Sequence, residues 1–208
     1  MNKRGVLLVI SGPSGVGKGT IINRLFELDD NLYFSVSATT RQPRLGEIDG
    51  VHYSFKTVEQ FEKDIETGEM LEHAAFSGNY YGTPKSAVEK KLAQGKDVVL
   101  DIEIQGAENV KKLMPEAVLV YILPPSIEEL KHRLIGRNTE SEESLEKRFH
   151  TAYRELHKAP ELYDYFIVND MVESAAVKIL DIIEGERCSK NAMQDILKKL
   201  LEEAETLA

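Results

Sequence analysis

Short runs of consecutive apolar residues alternate along the chain with segments in which apolar residues recur every three or four positions. The runs predict four buried strands, at Gly5–Ile10, Asp97–Ile102, Ala117–Leu123 and Tyr165–Asn169. The intervening spacing predicts helices at Thr20–Leu28, 104–114, 126–136 and 141–157. Continuous apolar runs are typical of strands buried on both faces, and strands that alternate with helices indicate right-handed crossovers. The pattern therefore predicts an α/β fold whose parallel sheet core is covered by helices on both faces.

Two segments depart from this alternation. Residues 34–83 hold short strand-like pieces, among them "YFSVSATT", and one helix predicted at Val58–Thr67, which indicates a mixed α/β insertion. The polar stretch Gly136–Arg148 interrupts two helical segments and is predicted to belong to a lid. The predicted division is a core of residues 1–33, 84–135 and 158–208, an insertion of residues 34–83 and a lid of residues 136–157.

The C-terminal segment carries apolar residues at helical spacing. They are Val172, Ala176, Ile179, Ile183, Met193, Leu197 and Leu200. This spacing predicts a helix whose apolar stripe packs on the core, and a helix that binds a partner is the alternative.

The charge balance narrows the class of partner. The chain has 208 residues and a formal net charge of -9, which argues against nucleic acid as a partner. Cys188 is the only cysteine, so no intramolecular disulfide can form, and a reducing, cytoplasmic location is expected. The apolar run after "MNKR" is too short for a membrane helix, and no membrane partner is expected. A homodimer is left open.

A glycine-rich loop follows the first predicted strand. The segment "GPSGVGKGT" fits the phosphate-loop pattern G-x-x-x-x-G-K, and its residues are Gly12, Pro13, Ser14, Gly15, Val16, Gly17, Lys18, Gly19 and Thr20. Backbone amides and the start of a helix suit a polyphosphate, and a lysine can reach its outer phosphates. Gly19 stands where a serine or threonine normally helps to hold Mg²⁺. Either Thr20 contributes its hydroxyl or water completes the metal shell.

Other charged residues extend this interpretation. Asp101 ends an apolar strand and is expected to face the magnesium of a nucleotide. The GTPase pattern N-K-x-D is absent. A phosphate loop with an insertion, a lid and scattered arginines indicates phosphoryl transfer between two small molecules, which fixed cations promote. The candidate cations are Arg41, Arg44, Arg133, Arg137 and Arg148.

Several longer motifs occur together and in one order. They are "SGPSGVGKGT", "SVSATTRQPRLGEIDGVHY", "FSGNYYGT", "LDIEIQGA", "ILPPSIEELKHRLIGR" and "FIVND". Together they closely resemble the guanylate kinase family over most of the chain. The resemblance implies a core, a GMP-binding insertion and a lid, with Mg²⁺ as cofactor and ATP as phosphoryl donor to GMP.

The resemblance also implies roles for individual residues. It assigns the catalytic cations to Lys18, Arg41, Arg133, Arg137 and Arg148, with Asp101 near the magnesium. It places Asn169 near the adenine of ATP. The implied GMP contacts are Ser37, Arg41, Arg44, Glu47, Tyr53, Glu72, Tyr81, Thr83, Asp101 and Glu103. Glu103 stands where the family often has aspartate, which makes its reach one methylene longer.

Two other functions remain open at this point. A kinase for another nucleoside monophosphate would share the loop and the lid but differ in its base pocket. A guanylate-kinase-like scaffold would bind proteins without catalysis, although such domains usually lack the loop lysine that this chain keeps as Lys18.

Overall fold

The computed structural model describes residues 4–76, 78–135 and 142–207. These residues form strands β1 (Leu7–Ser11), β2 (Leu32–Phe34), β3 (Ala38–Thr39), β4 (Ser54–Phe55), β5 (Met70–Phe76), β6 (Asn79–Pro84), β7 (Asp97–Asp101), β8 (Val118–Leu123) and β9 (Tyr165–Val168). The helices are α1 (Lys18–Leu28), α2 (Val58–Glu66), α3 (Lys85–Ala93), α4 (Ile104–Leu113), α5 (Ile127–Ile135), α6 (Glu142–Lys158), α7 (Val172–Arg187) and α8 (Gln194–Leu207). A short 3₁₀ turn covers Ala159–Glu161.

The core is a five-stranded sheet in the order β2-β7-β1-β8-β9, and all of its neighbouring strands are parallel. The four predicted strands are present as β1, β7, β8 and β9, which confirms the parallel α/β class. The fifth strand, β2, was not predicted as part of the core, because Tyr33 and Phe34 were assigned to a strand-like piece of the insertion. Tyr33 and Phe34 pair with Val98 and Val99, so the expected insertion strand "YFSVSATT" begins within the core sheet. With three residues, of which only Leu32 is buried, β2 is too short to give a periodic signal.

The sheet is buried because successive residues of each strand face opposite layers of helices. Leu7 and Val9 pack with side chains of α3 and α4, whereas Leu8 and Ile10 pack with side chains of α1 and α7. Since both faces of β1 are covered, its sequence is uniformly apolar rather than alternating. The carboxyl ends of β1, β7 and β9 therefore lie at one edge of a rigid sheet, where the functional residues follow.

A second sheet, in the order β4-β3-β6-β5, lies within residues 38–84. Its small core joins Ala38, Met70 and Phe61. Helix α2 begins with a reciprocal capping box in which the Thr57 side chain accepts from the Gln60 backbone and the Gln60 side chain accepts from the Thr57 backbone. Strand β5 also contacts α4, and its Leu71 belongs to the main core on that side of the parallel sheet.

The C-terminal expectation is half wrong. Helix α7 buries Ala175, Ala176, Ile179 and Ile183 against the sheet as predicted, but none of the residues of α8 is buried. The 16 residues of α7 span about 24 Å, already more than the roughly 17–20 Å of the strands that it covers. The apolar spacing that continues beyond residue 193 therefore has no core left to cover.

Candidate active site

The phosphate loop connects β1 directly to α1. Gly15 and Gly17 adopt left-handed conformations with φ of 84° and 97°, which glycine reaches without strain. Gly17 is the N-cap of α1 and has no side chain to cap it, so the first-turn amides of the helix stay available to a ligand. Such a terminus attracts anions through its free N–H groups and its partial positive charge.

Lys18 and Asp101 face each other across this loop. Lys18 Nζ donates to the backbone carbonyl of Gly12 over 2.8 Å and lies 4.0 Å from Asp101 Oδ1. Burial raises the pKa of Asp101 above its ordinary value, and nearby Glu103 adds to this while Lys18 opposes it. The structure thus brings together the predicted loop lysine and the predicted strand-end carboxylate.

Asn169 and Arg133 both hydrogen-bond to the backbone of the phosphate loop. The buried Asn169 side chain donates from Nδ2 to the Val16 carbonyl over 2.7 Å. Arg133 donates to the same carbonyl over 3.2 Å and to the Asn169 carbonyl over 3.4 Å, while its Nε donates to Glu129 over 2.7 Å. A β-carbon at Gly17 would lie 2.6 Å from Asn169 Nδ2, so only glycine fits there. The side chains of Asn169 and Arg133 therefore both hydrogen-bond to backbone carbonyls.

The lid residues are only partly described. Arg148 on α6 donates from Nη2 to the Ser14 hydroxyl of the phosphate loop. Ala152 of α6 packs with Leu130 and Leu134 of α5, so these two helices share a small core. Arg137 and the expected lid residues 136–141 lie outside the described residues.

The arginine loop of the insertion is organised around Glu47. Its carboxylate accepts from Arg41 Nη2 over 2.8 Å and from the Arg44 backbone N–H over 2.7 Å. These bonds lower the pKa of Glu47 to about 2, with the Arg41 side chain as the main cause, and the same pair raises the pKa of Arg41. Glu47 therefore orients one arginine and fixes the backbone of the next.

Two tyrosines lie beside Arg41. Its guanidinium carbon is 5.3 Å from the centre of the Tyr53 ring, and the Tyr53 and Tyr81 rings meet edge to face at 6.0 Å. Tyr81 also lies close enough to Arg41 to contribute to the raised pKa of its guanidinium. One guanidinium and two phenolic hydroxyls in one place suit a phosphate, which accepts several hydrogen bonds.

Glu72 lies on β5, and its carboxylate lies against Gly106 of α4. The side chain is 9% exposed, and its Oε1 accepts from the Thr83 hydroxyl over 2.7 Å. Burial raises the pKa of Glu72, and nearby Glu103 adds to the effect. Glu103 is exposed, and its charge also raises the pKa of Asp101. The charge of Glu103 therefore acts both on Glu72 and on the carboxylate that faces Lys18. Ser37 is half-buried at the start of β3, where its carbonyl accepts from the Ser54 backbone N–H.

Glu155 is a neighbour of these carboxylates that could not be predicted from the sequence. Glu155, half-buried on α6, has a raised pKa because of burial and the charge of Glu103, which Lys18 partly offsets. The polar helix that contains Glu155 gives no periodic hint that this one position faces the site.

The donor set for a metal ion is sparse. Among the described residues, no three acidic, histidine or cysteine side chains are gathered into a metal-binding group. Asp101 ends β7, and Thr20 is exposed in the first turn of α1. Mg²⁺ often takes one or two protein ligands together with substrate phosphates and water, so these residues fit a nucleotide-bound Mg²⁺.

A parallel sheet with a phosphate loop at its carboxyl edge, an arginine–tyrosine cluster and a buried carboxylate define a phosphate-loop kinase of small molecules. The family model described as guanylate kinase matches residues 4–186. The guanylate kinase of Clostridium perfringens (strain SM101 / Type A) is 53% identical over 196 residues, which cover 94% of this chain and 90% of that protein. The chain belongs to the guanylate kinase family.

Further relatives agree along nearly the whole length. The guanylate kinase of Caldanaerobacter subterraneus subsp. tengcongensis is 50% identical over 204 residues, covering 98% of each chain. The crystal structure of guanylate kinase from Anaplasma phagocytophilum is similar, with a TM-score of 0.69 and 36% identity over 90% of this chain and 88% of that one. The family likeness therefore extends from sequence to fold.

Proposed function

We propose that this chain transfers the γ-phosphoryl group of ATP to GMP and forms ADP and GDP. One observation carries the choice of acceptor: a buried carboxylate, Glu72, lies beside Gly106 of α4 with one oxygen bonded to Thr83. Guanine presents two adjacent donors, N1–H and the N2 amino group, which a carboxylate can accept together. Adenine has an acceptor at N1, which would face the same carboxylate unfavourably.

The acceptor site is assigned as follows. Arg41 and Arg44 hold the phosphate of GMP, with Tyr53 and Tyr81 donating hydroxyls, while Glu47 keeps Arg41 in place through the 2.8 Å ion pair. An arginine fork matches the oxygens of a phosphate and remains charged at all relevant pH values. Glu72 and Thr83 read the guanine edge, and Ser37, Asp101 and Glu103 complete the polar surroundings.

The donor site uses the phosphate loop, residues 12–20. Its amides and Lys18 hold the outer phosphates of ATP, Arg148 reaches the loop through Ser14, and Arg133 and Asn169 keep its backbone in shape. Arg137 is assigned to the same lid. Asp101 and Thr20 are the protein groups that would hold Mg²⁺, directly or through water, and when bound the ion neutralises charge on the phosphates.

The transfer needs no protein nucleophile. An oxygen of the GMP phosphate, already ionised at neutral pH, attacks the γ-phosphorus, and the bond from that phosphorus to the oxygen of ADP breaks. Lys18 and the arginines offset the negative charge of the moving phosphoryl group, and their fixed positions avoid the cost of reorganising water. In-line positioning of the two nucleotides supplies most of the remaining rate acceleration.

The wider setting follows from this activity. We assign the chain to purine nucleotide metabolism in the cytoplasm, with GMP and ATP as its small-molecule partners and with neither nucleic acid nor membrane as a partner. In the described ranges, no helix is both long and apolar enough to cross a bilayer. Residues 34–83 act as the GMP-binding insertion and residues 136–157 as the lid.

The test is a coupled assay of ADP release with GMP, AMP, CMP and UMP as acceptors. We expect GMP to exceed each of the others by at least about 10³-fold in kcat/KM, because a wrong base does not offer Glu72 the two adjacent donors of guanine. Faster turnover of another monophosphate would move the assignment to that nucleotide. Absence of both ATP binding and GDP formation would favour a protein-binding scaffold, and Lys18→Ala serves as the inactive control.

A further inference from the structure

Two buried tyrosine hydroxyls near the phosphate loop have no hydrogen-bond partner among the described residues. They belong to Tyr121 on β8 and to Tyr163, which follows the 3₁₀ turn, and the centres of the two rings lie 4.9 Å apart. Tyr121 pairs in register with Ser11, the last residue of β1 before the loop. Buried hydroxyls are normally bonded to protein or to ordered water, because leaving one unpaired is costly. The two hydroxyls therefore require an acceptor that lies close to them.

Helix α6, which carries Arg148, also carries a carboxylate on the side of these hydroxyls. Arg148, Ala152 and Glu155 follow the i, i+4, i+7 spacing of one helix face. Leu156, the neighbour of Glu155, packs against the core cluster that contains both tyrosines. Burial raises the pKa of both tyrosines, and the charge of the half-buried Glu155 adds to this effect. Glu155 is therefore an acceptor on α6 that lies close to the two hydroxyls.

A carboxylate suits this pair of donors better than the other oxygen nearby. Ser11 also lies close to Tyr163, but its hydroxyl donates to the Ile102 carbonyl over 2.6 Å, so a single oxygen would have to serve both tyrosines. A carboxylate has two oxygens with about four acceptor sites, and Glu155 can therefore accept from both hydroxyls at once. Because both rings are buried in the closely packed main core, the carboxylate on α6 is the group that can approach.

We propose that Glu155 is a positioning residue of the lid: when α6 closes on the core, its carboxylate accepts from the hydroxyls of Tyr121 and Tyr163. Arg148 lies two turns before Glu155 on the same face of α6 and donates to Ser14 of the phosphate loop. The contact therefore fixes the helix face that presents the guanidinium of Arg148 to the donor phosphates. This inference rests on the proposed function, in which Arg148 is a cation of the ATP site.

The C-terminal end of α6 is attached to the core, which makes the helix a lever. Lys158 pairs with Glu108 of α4 over 2.8 Å, and Ala159 is buried. Measured along the helix from Ala159, Glu155 is about 6 Å away and Arg148 is about 17 Å away. A rotation about the attached end therefore moves Arg148 nearly three times as far as Glu155. A short approach of the carboxylate to the tyrosines is enough to bring Arg148 onto the phosphates of the donor.

Steady-state kinetics of the full chain test this role. Glu155→Ala should lower kcat about tenfold without changing KM for GMP, whereas Glu155→Gln, which keeps an acceptor oxygen but no charge, should lose at most about threefold. In an Arg148→Ala background, Glu155→Ala should cause no further loss, because Glu155 acts through Arg148. Glu146→Ala, at an exposed position of α6, is the matched control and should leave kcat unchanged. Equal losses in Glu155→Ala and Glu155→Gln, or losses that multiply with Arg148→Ala, would overturn the proposal.

Hydrogen exchange tests the contact itself without turnover. Adding ATP with Mg²⁺ to the full chain should slow the exchange of the backbone amides of residues 148–158. Glu155→Ala should abolish this slowing, and so should Tyr121→Phe combined with Tyr163→Phe, which removes both hydroxyls but keeps the rings. The amides of α7 and the Tm should stay the same, which verifies the fold, and calorimetry should show that each variant still binds ATP.

The outcomes separate this contact from the proposed function. No slowing in the wild type with ATP bound, or slowing that persists in the variants lacking Glu155 or the two hydroxyls, would overturn the contact. The exchange measurement needs ATP but no GMP. A wild type that shows the expected slowing but forms no GDP would therefore contradict the proposed function and leave the contact supported.

Discussion

The side-chain amide of Asn169 donates to the carbonyl of Val16 over 2.7 Å, and so it ties the end of β9 to the phosphate loop. The bond is buried, and Arg133 converges on the same carbonyl. Asn169 therefore acts in this structure as a positioning residue for the loop that carries Lys18. The expectation that Asn169 lies near the adenine of ATP stays a prediction, which this bond neither confirms nor contradicts.

Asn169→Asp tests this role. The carboxylate would replace an N–H donor by an oxygen that faces the Val16 carbonyl, and the two acceptors repel each other. We expect kcat/KM for ATP to fall about 100-fold, equivalent to ~2.7 kcal/mol. The loss should be equal for ATP and for a triphosphate donor with another base, measured in the same coupled assay. A loss confined to ATP would instead indicate contact with adenine, and exposed Asn191→Asp is the control.

Glu47→Gln tests the ion pair of the arginine loop. The glutamine keeps the shape but loses the charge that holds Arg41 at 2.8 Å, so KM for GMP should rise about tenfold with little change in KM for ATP. Glu62→Gln, on an exposed position of α2, should change neither constant. Equal increases in both constants would show that Glu47 supports the whole protein rather than the acceptor site.

The same pair also has a defined pH dependence. Arg41 and the Arg44 amide lower the folded-state pKa of Glu47 to about 2. Its contribution to stability is therefore complete above the ordinary glutamate pKa and is lost only as the pH falls towards 2. We expect KM for GMP to show no rise from Glu47 protonation between pH 7 and pH 5, as a pH series on the wild type would verify.

Motifs that combine strong local constraints could be predicted from the sequence. The apolar strands and the glycine loop were predicted because burial on both faces and phosphate binding each restrict every residue of a short run. Contacts between distant segments could not be predicted, since nothing in the sequence shows that Glu155 faces the site or that the residues of β2 join the core sheet. The pairing of Asn169 with Val16 spans 153 positions and depends on the order of the strands.

The C-terminal error has a similar origin. Apolar spacing in α7 and α8 is nearly the same, so the pattern alone predicts one buried stripe. The sheet is long enough to be covered by α7 alone, so α7 packs on the core while α8 remains exposed. Periodicity reports which face of a helix is apolar, but it does not report which molecule covers that face.

Gly19 offers a test of how the loop holds magnesium. A β-carbon added at Gly19 meets no atom of the described residues within 4 Å, so serine fits where the loop pattern normally has a hydroxyl. We expect Thr20→Val to raise the Mg²⁺ concentration for half-maximal activity about tenfold, and Gly19→Ser in the same chain to reverse this. Gly19→Ala should leave the Mg²⁺ requirement unchanged and stabilise α1 by up to ~1 kcal/mol. An unchanged requirement in Thr20→Val would assign the metal shell to Asp101, phosphates and water.

Glu72→Gln separates the cost of a buried charge from its use in recognition. Burial raises the folded-state pKa of Glu72, so the folded state binds a proton more tightly than the unfolded chain does. Stability contributed by this group is present at low pH and is lost as pH rises through the folded pKa. At neutral pH the carboxylate is therefore destabilising, and the neutral amide should raise the Tm, with a difference that shrinks on acidification.

The same substitution should weaken GMP use about 100-fold in KM, because an amide offers one acceptor and one donor where guanine needs two acceptors. ATP binding, measured by calorimetry, should stay the same, and Thr83→Val should weaken GMP use less, since it leaves the carboxylate intact. A lower Tm for Glu72→Gln at pH 7 would contradict the burial argument. A higher Tm with unchanged KM for GMP would keep that argument but remove Glu72 from guanine recognition.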